Sequence, residues 1–258
     1  MDSDTRDSPE EGNNLSPRVK RLKVQHQTYS TTTGTDSPPL PTTSMSPILE
    51  TMQLEHVPPT HSVHVSVFRD VENADFLHQQ LLTRDSEFEY AMIDASMIAS
   101  RLQLLSAVFK AITLQTSGTM KTPNVHSEIV FCLNPANNIM EAYRRYGITH
   151  ASRNLVIVKV LVKPEPESET TAFPDKPALT AQDIEKHLLT HVQGNPVPLT
   201  DETLSKFADW DRILKYYKLN YKLNGMRYSN WLERQKDPAA ANREINMLIT
   251  SAMALKGV

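Results

Sequence analysis

Cysteine is all but absent from this sequence. The single one, Cys132, leaves no intrachain disulfide to form, and a reducing compartment, cytosol or nucleus, is the expectation. Glycine is scarce, seven in 258 residues with no two close together, which excludes a phosphate-cradling glycine loop. Long apolar runs are missing too. The longest, near Leu155–Val162, is interrupted by Lys159 and falls far short of the roughly 20 residues a membrane-spanning helix needs. The opening MDSDTRDSPEEG is acidic and carries no apolar stretch, so no secretory signal is expected there. Positive charge is not in excess: 27 Lys and Arg stand against 30 Asp and Glu, a net charge of −3. A broadly basic, DNA-coating surface is thereby excluded, and only a local basic patch is left open.

Residues 1–55 carry a single aromatic, Tyr29, amid Ser, Thr and Pro. Such a segment cannot bury enough apolar surface to offset its ordering entropy, so a disordered tail is predicted. It holds four Ser-Pro pairs, at Ser8, Ser16, Ser37 and Ser46, which fit either proline-directed phosphorylation or the ordinary composition of such tails. From residue 56 to 258 the pattern is that of one folded domain. Val63, Val65 and Val67 alternate as in a strand, and Asp70–Thr83 has helical spacing. Glu89–Ala95 reads as a second strand. The clearest helix is Arg101–Gln115, where Leu102, Leu105, Phe109 and Ile112 recur at three and four. Val125–Leu133 (VHSEIVFCL) reads as a third strand. Asn138 with Glu141 suggests a capping box, and Gly147 sits where a left-handed helix stop belongs. Leu155–Val162 is the fourth strand. Residues 164–178, rich in proline and acid, read as a surface insertion. Helices follow, capped at Thr180 with Asp183 and at Asp237 with Pro238. The expectation is an α/β or α+β fold, with a sheet of about four strands and helices packed on it.

The candidates for chemistry are few. If Val125–Leu133 is a strand, His126 and Glu128 share a face, roughly 6–7 Å apart, and form either an acid/base pair or a polar edge. Cys132 on the same face is a nucleophile or, more plainly, a small buried hydrophobe. His187 and His191 share a helix face, but no third ligand follows at a fitting spacing. No metal site or cofactor site is expected. Lys110, Lys121, Arg144, Arg145, Lys215 and Lys218 interleave with aromatics such as Tyr216, Tyr217 and Tyr221. That pattern suits phosphates and unpaired bases, or a solvated charged face.

The stretch Thr119–Ile148 carries a resemblance. It rests on Met120-Lys121-Thr122, Ser127-Glu128-Ile129-Val130, Asn134-Pro135, Asn137-Asn138-Ile139, Ala142 and Tyr146-Gly147-Ile148. Phe68-Arg69-Asp70-Val71, Ile93-Asp94-Ala95, Leu104–Ala111 and the ending Ala252–Gly257 support it. With these the chain resembles, over about residues 60–258, fungal members of the PRPK-binding protein (TPRKB) family, the small kinase-binding subunit of the KEOPS (EKC) complex. Tyr146 stands where that family usually carries phenylalanine, and Pro123 where many relatives carry a basic residue. The resemblance implies a non-catalytic subunit. Its partners are an atypical PRPK-type kinase/ATPase, through it the threonylcarbamoyl transferase subunit, and tRNA, notably the 3′ CCA end. The complex serves threonylcarbamoyladenosine formation next to the anticodon in tRNAs reading codons that begin with A. The resemblance also implies nuclear and cytoplasmic location and ties to telomere maintenance and transcription. On this reading the kinase face uses the long helix and the 134–146 segment, with Leu104, Val108, Asn134, Pro135, Asn137, Asn138 and Ile139 as candidates. Lys110, Lys121, Arg144, Arg145, Lys215 and Lys218 are the tRNA candidates. Two rival readings are a free-standing RNA- or DNA-binding module and a small RNA-modifying enzyme built on His126 and Glu128.

Lys20, Arg21 and Lys23 form a basic cluster with Arg18 in the otherwise acidic tail, a pattern that import receptors read. Lys20→Ala with Arg21→Ala is expected to shift a tagged protein out of the nucleus in cell imaging. An unchanged distribution removes that assignment.

Overall fold

The computed structural model describes residues 48–163 and 179–256; the Ser-Pro pairs and basic cluster of the expected tail, within residues 1–47, and the expected insertion at 164–178 lie outside them. Five strands form one sheet, antiparallel at every pairing. They are β1 (Glu50–Met52), β2 (His61–Arg69), β3 (Ala91–Asp94), β4 (Leu155–Val162) and β5 (Asn195–Val197). β4 lies between β2 and β3, and its ladder with β2 runs unbroken from His61↔Val162 to Phe68↔Leu155. β1 and β5 share the outer edge of β2, opposite Val63–Val65 and Val67–Arg69 respectively. The mixed helix-and-sheet architecture is as expected, in its antiparallel, α+β form.

Both faces of the sheet are covered. On one face Val63, Val65, Val67, Val156, Val158 and Val160 join a large core. That core includes α2 (Arg101–Thr116), α3 (Val125–Leu133), α7 (Trp210–Tyr216) and α9 (Pro238–Ala254). On the other face Phe68, Met92, Leu155 and Ile157 pack with α1 (Ala74–Thr83) and α5 (Ala181–His191). α4 (Ile139–Tyr146) follows α3 and buries Ala142 and Tyr146. α6 (Asp201–Phe207) and α8 (Tyr228–Glu233) complete the helices among the described residues. Several start signals hold. Thr180 and Asp183 close a reciprocal capping box, and Asp237 accepts from Ala240 N ahead of Pro238. Asn138 accepts from Glu141 N, but the expected box does not close, because the Glu141 carboxylate is engaged by Arg144 and Arg145 instead.

Three expectations are corrected. Val125–Leu133 is a helix, not a strand. Eight of its nine residues are buried, so it has no polar face and hence no helical period to read. Its start was signalled only by Asn124, whose side chain accepts from Ser127 N. Gly147 is not a left-handed stop, because its backbone is extended at φ −69°, ψ 159°. Glycine is needed there for closeness: a Cβ stands 2.7 Å from the Tyr143 carbonyl oxygen. Finally, order begins before residue 56. Leu49 is buried, Thr51 Oγ1 lies 2.8 Å from His64 Nδ1, and Glu50 pairs with both terminal nitrogens of Arg101.

Removal of residues 1–47 is expected to leave the melting temperature unchanged. Removal of residues 1–55 strips β1, exposing the apolar surface under Leu49 and leaving Arg101 without its Glu50 carboxylate, although it keeps its bond to the Leu199 carbonyl. A loss of about 2–3 kcal/mol is expected, which for a domain of this size lowers the melting temperature by roughly 5–10 °C. Thermal melts of the two truncations check it, and equal melting temperatures contradict it.

Candidate partner and nucleic-acid surfaces

The acid/base candidates occupy α3, and both are buried. β3 ends its pairing at Ala91↔Val158, so two residues further on the Val160 N–H has no strand to donate to. It donates to His126 Nε2 at 3.0 Å instead. That bond fixes the neutral ring with its proton on Nδ1, where Glu89 Oε1 stands 3.9 Å away. Glu128 has no exposed surface. Its Oε2 accepts from Lys121 N, Thr122 N and Thr122 Oγ1 at 3.0, 2.8 and 2.6 Å. The two side chains therefore point to different duties: one finishes a sheet edge, the other ties down the 121–122 loop. The shared strand face expected for them does not exist.

Burial pushes the Cys132 thiol up to about 11, so it is the buried hydrophobe of the two readings. His187 and His191 do share a face of α5, with ring centroids 4.5 Å apart. They pack with Phe88 and Tyr90, and the Tyr90 hydroxyl is 3.0 Å from His187 Nδ1. No cluster of three or more His, Cys, Asp or Glu able to hold a metal occurs among the described residues. Nor is any helix there long and apolar enough to cross a membrane.

The candidate kinase residues fall into two groups. Leu104, Val108 and Asn134 are wholly buried and cannot meet a partner in this conformation. Asn134 instead donates from Nδ2 to the Asn138 carbonyl, bracing the turn into α4. Pro135 is half-buried, whereas Asn137, Asn138 and Ile139 are exposed. The apolar side of α2 that faces outward consists of Leu102, 57% exposed, with Leu105 and Phe109. Together with Leu54, Leu114 and Met253 they line a groove of about 740 Å³ between α2 and α9. A second exposed apolar group, Ile139, Met140 and Tyr143, sits on α4.

The basic candidates also divide. Lys110 Nζ donates to the Met253 and Lys256 carbonyls, both at 2.9 Å, and so caps the C-terminal end of α9. Arg145 is half-buried over the Tyr216 ring, 4.5 Å from its centroid, and pairs with Glu141. Both cations are consumed by the fold. Arg144 is exposed, with a fork of bonds to Glu141. Lys121 reaches Asn137 Oδ1, and Lys215 and Lys218 are exposed. The structure adds two residues that sequence reading missed. Arg153 and Arg212 join Arg144 and Arg145 around a polar cleft of about 330 Å³. Only the sheet and α7 bring them together, so no local spacing signalled it.

Burial holds His126 below the ordinary imidazole range, with Lys159 acting the same way and Glu89 opposing. His61, His64 and His187 are also held low by burial. Neutral histidines of this kind contribute stability fully present above about pH 6.5 and lost as pH falls below it. Unfolding free energy should therefore drop between pH 6.5 and 5. In His126→Gln, whose amide oxygen can still accept from Val160 N, the drop should be measurably shallower. Denaturant melts across that range test it, and parallel pH profiles contradict it.

Residues 68–257 match the family model described as kinase binding protein CGI-121. A Gibberella zeae protein named EKC/KEOPS complex subunit CGI121 is 49% identical over 210 residues, covering 81% of this chain and 99% of that one. A Neurospora crassa protein of the same name is 46% identical with the same coverage. A Schizosaccharomyces pombe namesake is 33% identical over 63% of this chain and 84% of its own. Matched along three-quarters of its length by the family model and along four-fifths of it by relatives covered almost completely, the chain belongs to the CGI-121 kinase binding protein family.

Proposed function

We propose that this chain is a non-catalytic subunit of an EKC/KEOPS complex. It docks on the complex's atypical kinase/ATPase, sits through it beside the threonylcarbamoyl transferase subunit, and helps to hold tRNA. The complex in turn forms threonylcarbamoyladenosine next to the anticodon. The observation that carries the docking is the groove between α2 and α9. Soluble domains rarely leave a contiguous apolar face open unless something covers it. Here Leu102 and Phe109 are exposed on a helix whose opposite side is fully committed to the core. The non-catalytic reading draws support from the structural duties of His126, Glu128 and Cys132. The enzyme alternative needs His126 and Glu128 free, and a nucleophilic cysteine would need Cys132 exposed. Work in both nucleus and cytoplasm, and at telomeres or in transcription, belongs to the same proposal, as what membership of such a complex brings.

Aromatic and aliphatic anchors at the centre of an interface typically contribute 2 kcal/mol or more. Leu102→Asp with Phe109→Asp is therefore expected to weaken kinase binding by about 30-fold or more, with cooperative unfolding retained and thermal stability lowered only modestly, because both side chains lie at the exposed edge of the groove. Met140→Asp on α4 is expected to leave the affinity within a few-fold. Calorimetric titration of the purified kinase against each variant decides it. A reversed pattern moves the docking face to α4, and loss in neither removes both.

A further inference from the structure

The polar cleft described above is bounded by the last turn of α4, the loop 147–154, the end of β3 and the first turn of α7. Arg144, Arg145, Arg153 and Arg212 all line it. Its carboxylates are already engaged. Both Asp94 oxygens accept bonds inside the fold, from Ser96 N and from Ser152 Oγ. Glu141 is shared between Arg144 and Arg145, and Asp209 lies 3.8 Å from Arg212. Arg153 is exposed and enters no ion pair among the described residues. Arg145 Nε is buried and has no hydrogen-bond partner. Four guanidiniums converging on one cavity repel one another, and the fold retains them with donors to spare. Guanidinium forks match the oxygens of a phosphate, two donors to two acceptors.

The surroundings say which kind of phosphate. Lys215 follows Arg212 at a spacing of three on α7, on the same side of the helix, and exposed Lys218 comes next. Within α7 Arg212 and Lys215 are about 4.5 Å apart along the axis, at 1.5 Å per residue, and Lys218 lies just past the helix end, where the backbone turns left-handed at φ 59°, so positive charge continues beyond Arg212. Tyr216, under Arg145, and Tyr221, 65% exposed, lie in the same stretch of chain. A row of cations beside an exposed aromatic ring suits a nucleic-acid strand better than a single free anion. We propose that this cleft is a phosphate clamp for an RNA backbone. Arg153 and Arg212 make the contacts, and Arg145 is the buried cation that holds the wall in place. The inference rests on the tRNA-holding role proposed above and gives it a location.

The test uses the reconstituted complex with the full chain, comparing wild type, Arg153→Ala with Arg212→Ala, and the corresponding double lysine variant. Kinase binding and melting temperature report that the complex is intact. Each phosphate contact contributes roughly 0.7–0.9 to the slope of log affinity against log salt. The alanine pair should therefore weaken tRNA binding several-fold or more and make the slope shallower by about 1.5. The lysine pair should keep the slope and lose part of the affinity. If a complex lacking this subunit binds tRNA as well as the whole one, the tRNA role falls and the clamp with it. If the subunit adds affinity but the alanine pair leaves affinity and slope unchanged, the clamp alone is wrong. Loss of the kinase in the alanine pair overturns the clamp and marks the cleft as a site for an acidic protein surface. Displacement of tRNA by equimolar AMP or inorganic phosphate overturns the backbone assignment in favour of a small anion.

Discussion

Everything in this fold hangs on one strand pair that has water on neither face. β2 and β4 run antiparallel through eight residue pairs, and nearly every side chain on both strands is buried. A sheet covered on one face alternates apolar and polar residues. A sheet covered on both faces needs apolar groups, or satisfied polar ones, at every position. The polar exceptions show how tightly that condition is met. Ser66 donates to the Ile48 carbonyl, His64 meets Thr51 and Ser62, and Lys159 donates to the Glu89 carbonyl. Two of these partners lie at or beside β1, so the short strand is part of how the central ladder is allowed to carry polar groups.

The same constraint explains what could be read from the sequence. Amphipathic elements were legible: α5 and α9 announced themselves by caps and stripes, and α2 by its long period. β4 was legible as an apolar run. α3 was not, because a helix enclosed by the sheet, α2 and α4 has no side facing water. Its second half, Ile129–Leu133, is a short apolar run, and such a run reads equally as a buried strand. Its polar pair, His126 and Glu128, strengthened that misreading. Both are there to satisfy backbone N–H groups, at Val160 and at Lys121–Thr122. β1 and β5 were missed because three residues carry no period.

For α2 the difficulty was direction. At about 100° per residue, Leu102, Leu104, Leu105, Val108 and Phe109 span about 160° of the helix, and Ala107 and Ala111 widen the apolar arc to about 220°, so spacing alone cannot say which part of it meets the core. The structure gives Leu104 and Val108 to the core and leaves Leu102, Leu105 and Phe109 at the groove. An apolar arc wider than the core can cover is itself a sign of a second, external packing partner. The residues to mutate are then those the core does not use. Three of the four most regular positions of the stripe, Leu102, Leu105 and Phe109, are the ones left at the groove, whereas Leu104 and Val108 are the least able to touch anything else.

Charge poses the same question in electrostatic form. A chain with more acids than bases can attract a polyanion only where cations remain uncommitted. Lys110 spends its ammonium on carbonyls at the end of α9, and Lys256 spends its own on the Phe131 carbonyl and ring face. Such groups cannot shed counterions on binding phosphate without first breaking the fold. Arg145 is a third case: it is too enclosed to reach outward, yet its positive charge stays in the cleft wall and adds to the field of its neighbours. Long-range attraction counts all the cations, but close contact counts only those with donors facing water. Among the described residues, Arg153 and Arg212 meet the second condition at a place where the first is also met. Neither was conspicuous in the sequence, since one stands alone in a loop and the other is a helix residue beside acids. A binding surface of this kind belongs to the topology, because the sheet and α7 bring distant residues to one cavity.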